Sequence, residues 1–282
     1  MRIITDVDEF RAWSESARCE GRRVGLVPTM GALHEGHLSL IGEAVRRADA
    51  VAVSVFVNPA QFAPGEDYET YPRDLERDAA LAGEHGADVV FAPPPGAMYP
   101  EGESTRVTVE GVSEGLCART RPHFFGGVAL VVTKLLVLAR PHVAVFGEKD
   151  RQQLAVIRRL GKDLLLDCEI AGHPTVREED GLAMSSRNVY LTQAERAQAP
   201  GLYRGLLDLK RRLEEGERDA AELLAGLEDF YAREVPDGEI DYLELVDPET
   251  MRPVERVDGE AVAAVAVRLG RARLIDNIVV SW

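Results

Sequence analysis

The sequence predicts a doubly wound parallel α/β sheet followed by a smaller α+β domain, and three observations carry that reading. Apolar runs rich in β-branched residues recur without the alternation of a half-wet strand, as in Val51-Ala52-Val53-Ser54-Val55-Phe56-Val57; such runs suit strands covered on both faces. Helical stretches separate these runs one by one, the order that repeated strand–helix units impose. Near residue 175 the texture changes to charged, Ala- and Leu-rich helix and then to paired strands.

Taken in order, Val24-Gly25-Leu26-Val27 reads as a short buried strand, with a helix following at about 38–48. Residues 51–57 form the next strand and 74–85 a charged helix. A strand at 88–92 is stopped by the prolines at 93–95. The section 96–122 is less regular and holds one expected strand, 105–109. A buried helix at 127–139, a strand at 142–146, an amphipathic helix at 150–164 and a strand at 166–171 complete a Rossmann-like set. Beyond it, 192–234 reads as helix broken at Pro200-Gly201 and Gly216. Antiparallel strands follow at 240–246 and within 261–280, with a hairpin at Gly270. The expected division is 1–175 for the sheet domain and 176–282 for a smaller α+β lid domain, in keeping with a chain of 282 residues.

Composition narrows the function. A formal net charge of −15 disfavours a general nucleic-acid or anionic-membrane surface, and 45% hydrophobic with 29% charged residues is ordinary for a globular enzyme. Three scattered cysteines, Cys19, Cys117 and Cys168, suit reduced thiols. The first residues hold acids and no apolar signal core, and the longest apolar stretch, 128–139, contains Lys134 and is too short for a bilayer. The expectation is a cytoplasmic protein without nucleic-acid or membrane partners.

The stretch Pro28-Thr29-Met30-Gly31-Ala32-Leu33-His34-Glu35-Gly36-His37 lies between the first buried run and the helix after it. A strand-to-helix corner offers unpaired N–H groups and the positive end of a helix dipole, both suited to phosphate. Gly31 and Gly36 let a ligand approach the backbone, and the two imidazoles add donors. A metal site is the other reading of His-x-x-His, but no third His or Cys stands nearby, so the metal ligands stay unknown. Neither a Gly-x-Gly-x-x-Gly run nor a P-loop is present.

This stretch resembles the His-x-Gly-His motif of a nucleotidyltransferase superfamily, and with its flanks it is similar to the pantothenate synthetase (pantoate–β-alanine ligase) family. Three further stretches join it. Asn58-Pro59-Ala60-Gln61-Phe62, continuing to Tyr71-Pro72-Arg73, follows the second buried run; Gly147-Glu148-Lys149-Asp150-Arg151-Gln152-Gln153 follows a later one; and Met184-Ser185-Ser186-Arg187-Asn188 sits at the expected domain junction. One departure stands out. Where the family usually has a His, this chain has Phe124, with His123 immediately before it.

The resemblance implies ATP contacts from Met30, Gly31, Ala32, Leu33, His34, Glu35, Gly36 and His37, from Gly147, Glu148, Lys149 and Asp150, and from Val176, Met184, Ser185, Ser186 and Arg187. It implies pantoate and β-alanine contacts from Met30, Asn58, Gln61 and Gln153, with Mg²⁺ arriving on ATP, and it implies a homodimer. The activity implied is ATP-dependent condensation of (R)-pantoate with β-alanine through a pantoyl-adenylate. The residues themselves suit adenylyl transfer. A substrate carboxylate can attack phosphorus without a protein nucleophile, and neither a Gly-x-Ser-x-Gly elbow nor a Cys–His pairing offers one. His37, His34, Lys149, Ser185 and Arg187 are then the groups expected to stabilise charge on the phosphates, with His37 the foremost donor. Two rivals remain: another His-x-Gly-His adenylyltransferase, and a non-catalytic ATP-binding regulator.

Overall fold

The computed structural model describes all residues 1–282. The chain divides into two compact units. One comprises Met1–Val109, His123–Glu148 and Val156–Pro174; the other comprises Glu110–Pro122, Lys149–Ala155 and Thr175–Trp282.

The elements run β1 (Arg2–Ile4), α1 (Val7–Cys19), β2 (Val24–Thr29), α2 (Glu35–Arg47), β3 (Ala50–Val55), α3 (Leu75–Glu84), β4 (Val89–Phe91) and the short α4 (Pro95–Met98) and α5 (Cys117–Thr120). Then come α6 (Phe124–Ala139), β5 (Val143–Gly147), α7 (Arg151–Asp163), β6 (Glu169–His173), α8 (Gln193–Gln198), α9 (Gly201–Glu214), α10 (Ala220–Glu234), β7 (Gly238–Val246), β8 (Glu260–Leu269) and β9 (Ala272–Ser281).

The first unit is a six-stranded sheet in the order β1-β4-β3-β2-β5-β6, parallel throughout. From β2 the chain builds outward through β3 and β4 on one side, then returns to build β5 and β6 on the other. The order therefore reverses between β2 and β5, and the crevice outside the carboxyl ends of those strands is where such sheets bind ligands. Val24, Leu26, Val27, Val53, Val143 and Val145 are buried, as expected of strands covered on both faces.

Several expectations need correction. A strand and a helix precede the run at 24–27. In β1, Ile4 is buried beside β4, and α1 is capped by Asp6, whose carboxylate accepts from the N–H groups of Asp8 and Glu9 at 3.0 and 2.8 Å. Phe10 of α1 stacks on Phe91 of β4 with centroids 4.0 Å apart, which seats the helix on the sheet. The expected strand at 105–109 does not form. Its β-branched residues run partly exposed and pair with no other strand, and extended propensity without a ladder partner is not enough. The helix expected from about 38 starts at Glu35, and the strand expected at 166–171 starts at Glu169, after Leu165 leaves α7 with φ +54°.

In the second unit, β7, β8 and β9 form an antiparallel meander whose last two strands turn at Gly270, as the sequence predicts. Alternation splits β8 between two buried faces. Ala261, Ala263, Val265, Val267 and Leu269 join Leu202, Leu206, Leu209, Leu223, Leu227 and Tyr231 of α9 and α10 in one core. The opposite face of the sheet meets the 110–122 segment, where the thiol of Cys117 lies 3.5 Å from the Tyr242 hydroxyl and 3.7 Å from Arg273. Burial raises the Tyr242 pKa well above the ordinary phenol value.

One histidine of the first unit sets a pH limit on stability. Nδ1 of His142 accepts from Val24 N–H at 2.8 Å, and its pKa lies below the ordinary 6.5, through burial first and then the charges of Arg18 and Arg23. The unfolded chain takes up this proton near 6.5 while the folded one resists it. This contribution to stability is therefore present above 6.5 and is lost as pH falls below that value toward the folded pKa. His173, lowered by burial and Arg46, acts with the same sign. Urea denaturation from about pH 7.5 to about pH 5 should show stability falling, and His142→Asn should flatten part of that slope. An unchanged slope in the variant would discount His142.

Candidate functional site

The expected site residues fall into two sets, one in each unit. The first begins at the corner between β2 and α2. His34 is the N-cap of α2, with Nδ1 accepting from Gly36 N–H at 3.1 Å. That bond leaves Nε2 to carry the proton of the neutral ring, so His34 presents a donor. His37 lies in the first turn, its ring centroid 4.1 Å from that of His34. The spacing of the pair brings this about: a cap at 34 puts 37 one turn on, over the same helix end. Both imidazoles, and Glu35 and Gly36 between them, therefore stand where the helix dipole favours an anion.

The loop from Met30 to Leu33 is held by a carboxylate that sequence reasoning passed over. Asp78 of α3 is fully buried and accepts from the N–H groups of Ala32 and Leu33, both at 2.8 Å. Arg77 donates to the Leu33 carbonyl at 3.2 Å. Gly31 sits at φ +84°, and a Cβ there would stand 2.8 Å from an Asp78 oxygen, so both its backbone and its bareness are required. Thr29 accepts from Gly31 N–H at 3.1 Å and donates to the Ser54 carbonyl at 2.6 Å, fastening the loop to β3. In sequence Asp78 looks like any acid in a helix's first turn, so nothing marked it.

The turn after β3 brings Asn58, Gln61 and Met30 together. Asn58 Nδ2 donates to Gln61 Oε1 at 3.0 Å and to the Gly127 carbonyl at 3.1 Å, and Gln61 Nε2 lies 3.1 Å from Met30 Sδ. Asn58 and Gln61 are buried. Gly127 of α6 is where helix and turn meet: a Cβ there would lie 2.2 Å from the Ala60 carbonyl oxygen. At the departure noted in the sequence, Phe124 is buried against Phe125 and His123 is exposed just before α6. Gly147 ends β5, and Glu148 opens the turn that follows.

The second set lies in the other unit. Lys149 and Asp150 occupy the single turn before α7, where Asn277 of β9 donates to the Lys149 carbonyl at 2.9 Å. The adjacent glutamines have different employment. Gln152 is buried and holds the 112–117 loop, accepting from Cys117 N–H at 3.1 Å and donating to the Glu114 carbonyl at 2.9 Å, whereas Gln153 is only half-buried.

Val176 to Met184 fold back as a narrow loop, with Met184 N–H donating to the Val176 carbonyl at 3.0 Å and Arg177 bridged to Ala183. Arg177 is clamped by Asp276 at 2.6 and 2.8 Å and stacks 3.6 Å over Tyr203. Ser185 caps the short turn Ser186–Tyr190 by accepting from Arg187 N–H at 3.3 Å, which leaves its hydroxyl hydrogen to donate elsewhere. Asn188 donates to Glu178 and to the Ala183 carbonyl, and Arg196 pairs with Glu178 and Asp180. Asp276 and Asn277, adjacent on β9, thus hold the 176–184 loop and the Lys149 turn respectively. Nothing in their immediate sequence assigns either residue this task.

A reversed parallel sheet with a two-histidine corner at its switch point places the chain among α/β proteins built to hold a nucleotide's phosphates. Comparison with known proteins narrows this. The family model for pantoate-beta-alanine ligase matches residues 2–279. The pantothenate synthetase of Oleidesulfovibrio alaskensis is 56% identical over 278 residues, covering 99% of each chain. The crystal structure of pantothenate synthetase from Thermus thermophilus superposes with a TM-score of 0.92 at 50% identity, over 99% of each chain. Pantoate-beta-alanine ligase from Francisella tularensis, complexed with beta-gamma ATP and beta-alanine, superposes with a TM-score of 0.79 at 32% identity, over 99% of this chain and 97% of that one. The chain belongs to the pantoate–β-alanine ligase family.

Proposed function

We propose that this protein joins (R)-pantoate to β-alanine at the expense of ATP, through a pantoyl-adenylate. The observation that carries the reading is the His34–His37 pair at the amino end of α2, on the switch-point edge of the sheet, in a chain whose family model spans residues 2–279. In the first step a pantoate carboxylate oxygen attacks the α-phosphorus, the bond to the departing pyrophosphate breaks, and the acyl-adenylate forms. His34 and His37 donate toward phosphate oxygens, and Lys149, Ser185, Ser186 and Arg187 add an ammonium, two hydroxyls and a guanidinium to the same task. In the second step the β-alanine amine attacks the acyl carbon, AMP leaves with the bonding pair, and the amine loses a proton. Gln61 and Gln153, with Met30 and Asn58, orient the organic substrates without adding charge.

No three His, Cys, Asp or Glu side chains gather into a metal-holding group. Mg²⁺ in this reading comes with ATP as part of the substrate. No helix is long and apolar enough to cross a membrane. The reading takes the protein as cytoplasmic and dimeric, with 176–282 closing as a lid that keeps water from the adenylate. Solution scattering with and without an ATP analogue plus pantoate should differ; identical profiles would remove the lid.

Incubation with MgATP, pantoate and β-alanine should release AMP and pyrophosphate in equal amounts with pantothenate, and omission of pantoate should abolish release. Transfer of AMP to a phosphomonoester instead would favour the other adenylyltransferase reading. Binding of ATP without turnover would favour the regulator.

A further inference from the structure

We infer that the adjacent residues Asp276 and Asn277 of β9 are positioning residues for the two phosphate-binding stretches of the second unit. Asp276, through Arg177, aims the Ser185–Arg187 segment, and Asn277 fixes the turn that carries Lys149. The inference rests on the reading of those stretches as contacts of ATP and adds the two residues that hold them from behind.

Consecutive side chains of a strand point to opposite faces, while their Cα atoms stand only about 3.8 Å apart. Asp276 lies opposite Val265, on the face that joins the core with α9 and α10, and Asn277 lies opposite Ala264, on the other face. From neighbouring positions the strand thus grips two segments distant from each other in the chain. Asn277 Nδ2 donates to the Lys149 carbonyl at 2.9 Å, and the Asp276 carboxylate accepts from both terminal nitrogens of Arg177 at 2.6 and 2.8 Å. Asp276 Oδ1 also accepts from Asn277 N–H at 2.7 Å, which ties the carboxylate to the strand backbone between the two grips.

The Arg177 grip is built for direction more than for strength. Asp276 is 3% exposed, and an ion pair so buried gains little net stability, because taking both charges out of water offsets most of their attraction. An apolar pair would fill the same space without fixing an angle, whereas a guanidinium and a carboxylate meeting by two bonds fix their mutual orientation. The guanidinium is held from its other sides as well. It stacks 3.6 Å over the Tyr203 ring, and Nη1 donates to the Gly181 carbonyl at 3.1 Å, across the turn of its own loop. Tyr203 packs so closely there that a Cβ on Gly181 would stand 2.8 Å from its ring. The bridge from Arg177 to Ala183 and the Met184-to-Val176 bond at 3.0 Å pass this orientation across the loop to Met184, and Ser185, Ser186 and Arg187 follow directly.

The test is the steady-state kinetics of AMP release, each substrate varied with the others saturating. Asp276→Asn keeps the side chain's shape, leaves one oxygen for Arg177 and turns an amide N–H against its second nitrogen. It should lower kcat/KM for ATP at least about tenfold, the scale of one lost charged hydrogen bond, with KM for pantoate within about twofold of the parent. Arg177→Lys, which keeps the charge and loses the two-point grip, should reproduce that loss and decides the matter if Asp276→Asn does not fold. Asn277→Ala leaves the Arg177–Asp276 pair in place and should raise KM for ATP about fivefold, again sparing pantoate. In a Lys149→Ala background it should add nothing further, because its effect passes through that residue. A merely structural role gives a different pattern: fewer active molecules lower kcat while both KM values stay. That pattern, equal shifts for both substrates, or full additivity of Asn277→Ala with Lys149→Ala would each overturn the inference. A parent protein that releases no AMP would overturn the functional reading instead, and that result comes before any variant is compared.

Discussion

His37→Ala is expected to lower kcat for AMP release by at least about two powers of ten, the scale of removing one strong donor to developing phosphate charge. His34, by capping α2, fixes the start of the helix and so places His37 in its first turn, 4.1 Å ring to ring from its partner. At that place the helix dipole already favours an anion, and an imidazole N–H adds a donor that can follow charge toward the bridging oxygen as pyrophosphate leaves. A donor used mainly in the transition state lowers kcat more than it raises KM when removed. The measurement is kcat and KM for ATP and pantoate in parent and variant, with melting temperature as a check on folding. A variant with near-normal kcat would remove His37 from the chemistry. Lys149→Ala should show a loss of similar size, since its ammonium is assigned to the same phosphates.

Asp78→Ala is expected to cost about 3 kcal/mol of stability and to depress kcat at least tenfold, although Asp78 lies on α3 and is not proposed to touch substrate. Its two oxygens take the N–H groups of Ala32 and Leu33, so truncation leaves two donors without partners in a largely buried place. The loop it releases is the one that delivers Met30 and His34, and small misplacement of reacting groups costs rate steeply. Asp78→Asn retains one accepting oxygen and should lose about half as much stability. Denaturant unfolding beside kcat separates the two effects. Stability and turnover both close to parent values in Asp78→Ala would show that the corner holds its shape without the carboxylate.

Much of this molecule could be read from its letters, and the reasons are local. Strands such as β3 and β5 are continuous apolar runs because both their faces are covered, so composition alone discloses them. The turn at Gly270 and the breaks between α8, α9 and α10 follow from residue types that cannot continue an element. The His-x-Gly-His corner declares itself because two glycines and two imidazoles between strand and helix have few other uses. The segment 105–109 misled for the converse reason: its residues favour extended backbone, but a strand exists only where another strand accepts its hydrogen bonds.

What sequence alone determined is therefore the alternation of buried strand and helix, the second meander, the corner and the identity of the polar loops. Each depends on neighbours within a few positions. What only the tertiary structure decided is which distant groups hold those loops: Asp78 under the Ala32–Leu33 amides, Tyr99 and Gly127 around Asn58, Asp276 and Asn277 behind Arg177 and Lys149. A buried acid or amide carries no mark in the chain, because its worth lies in partners at sequence separations of 41 to 128, brought to it by the folding of everything between.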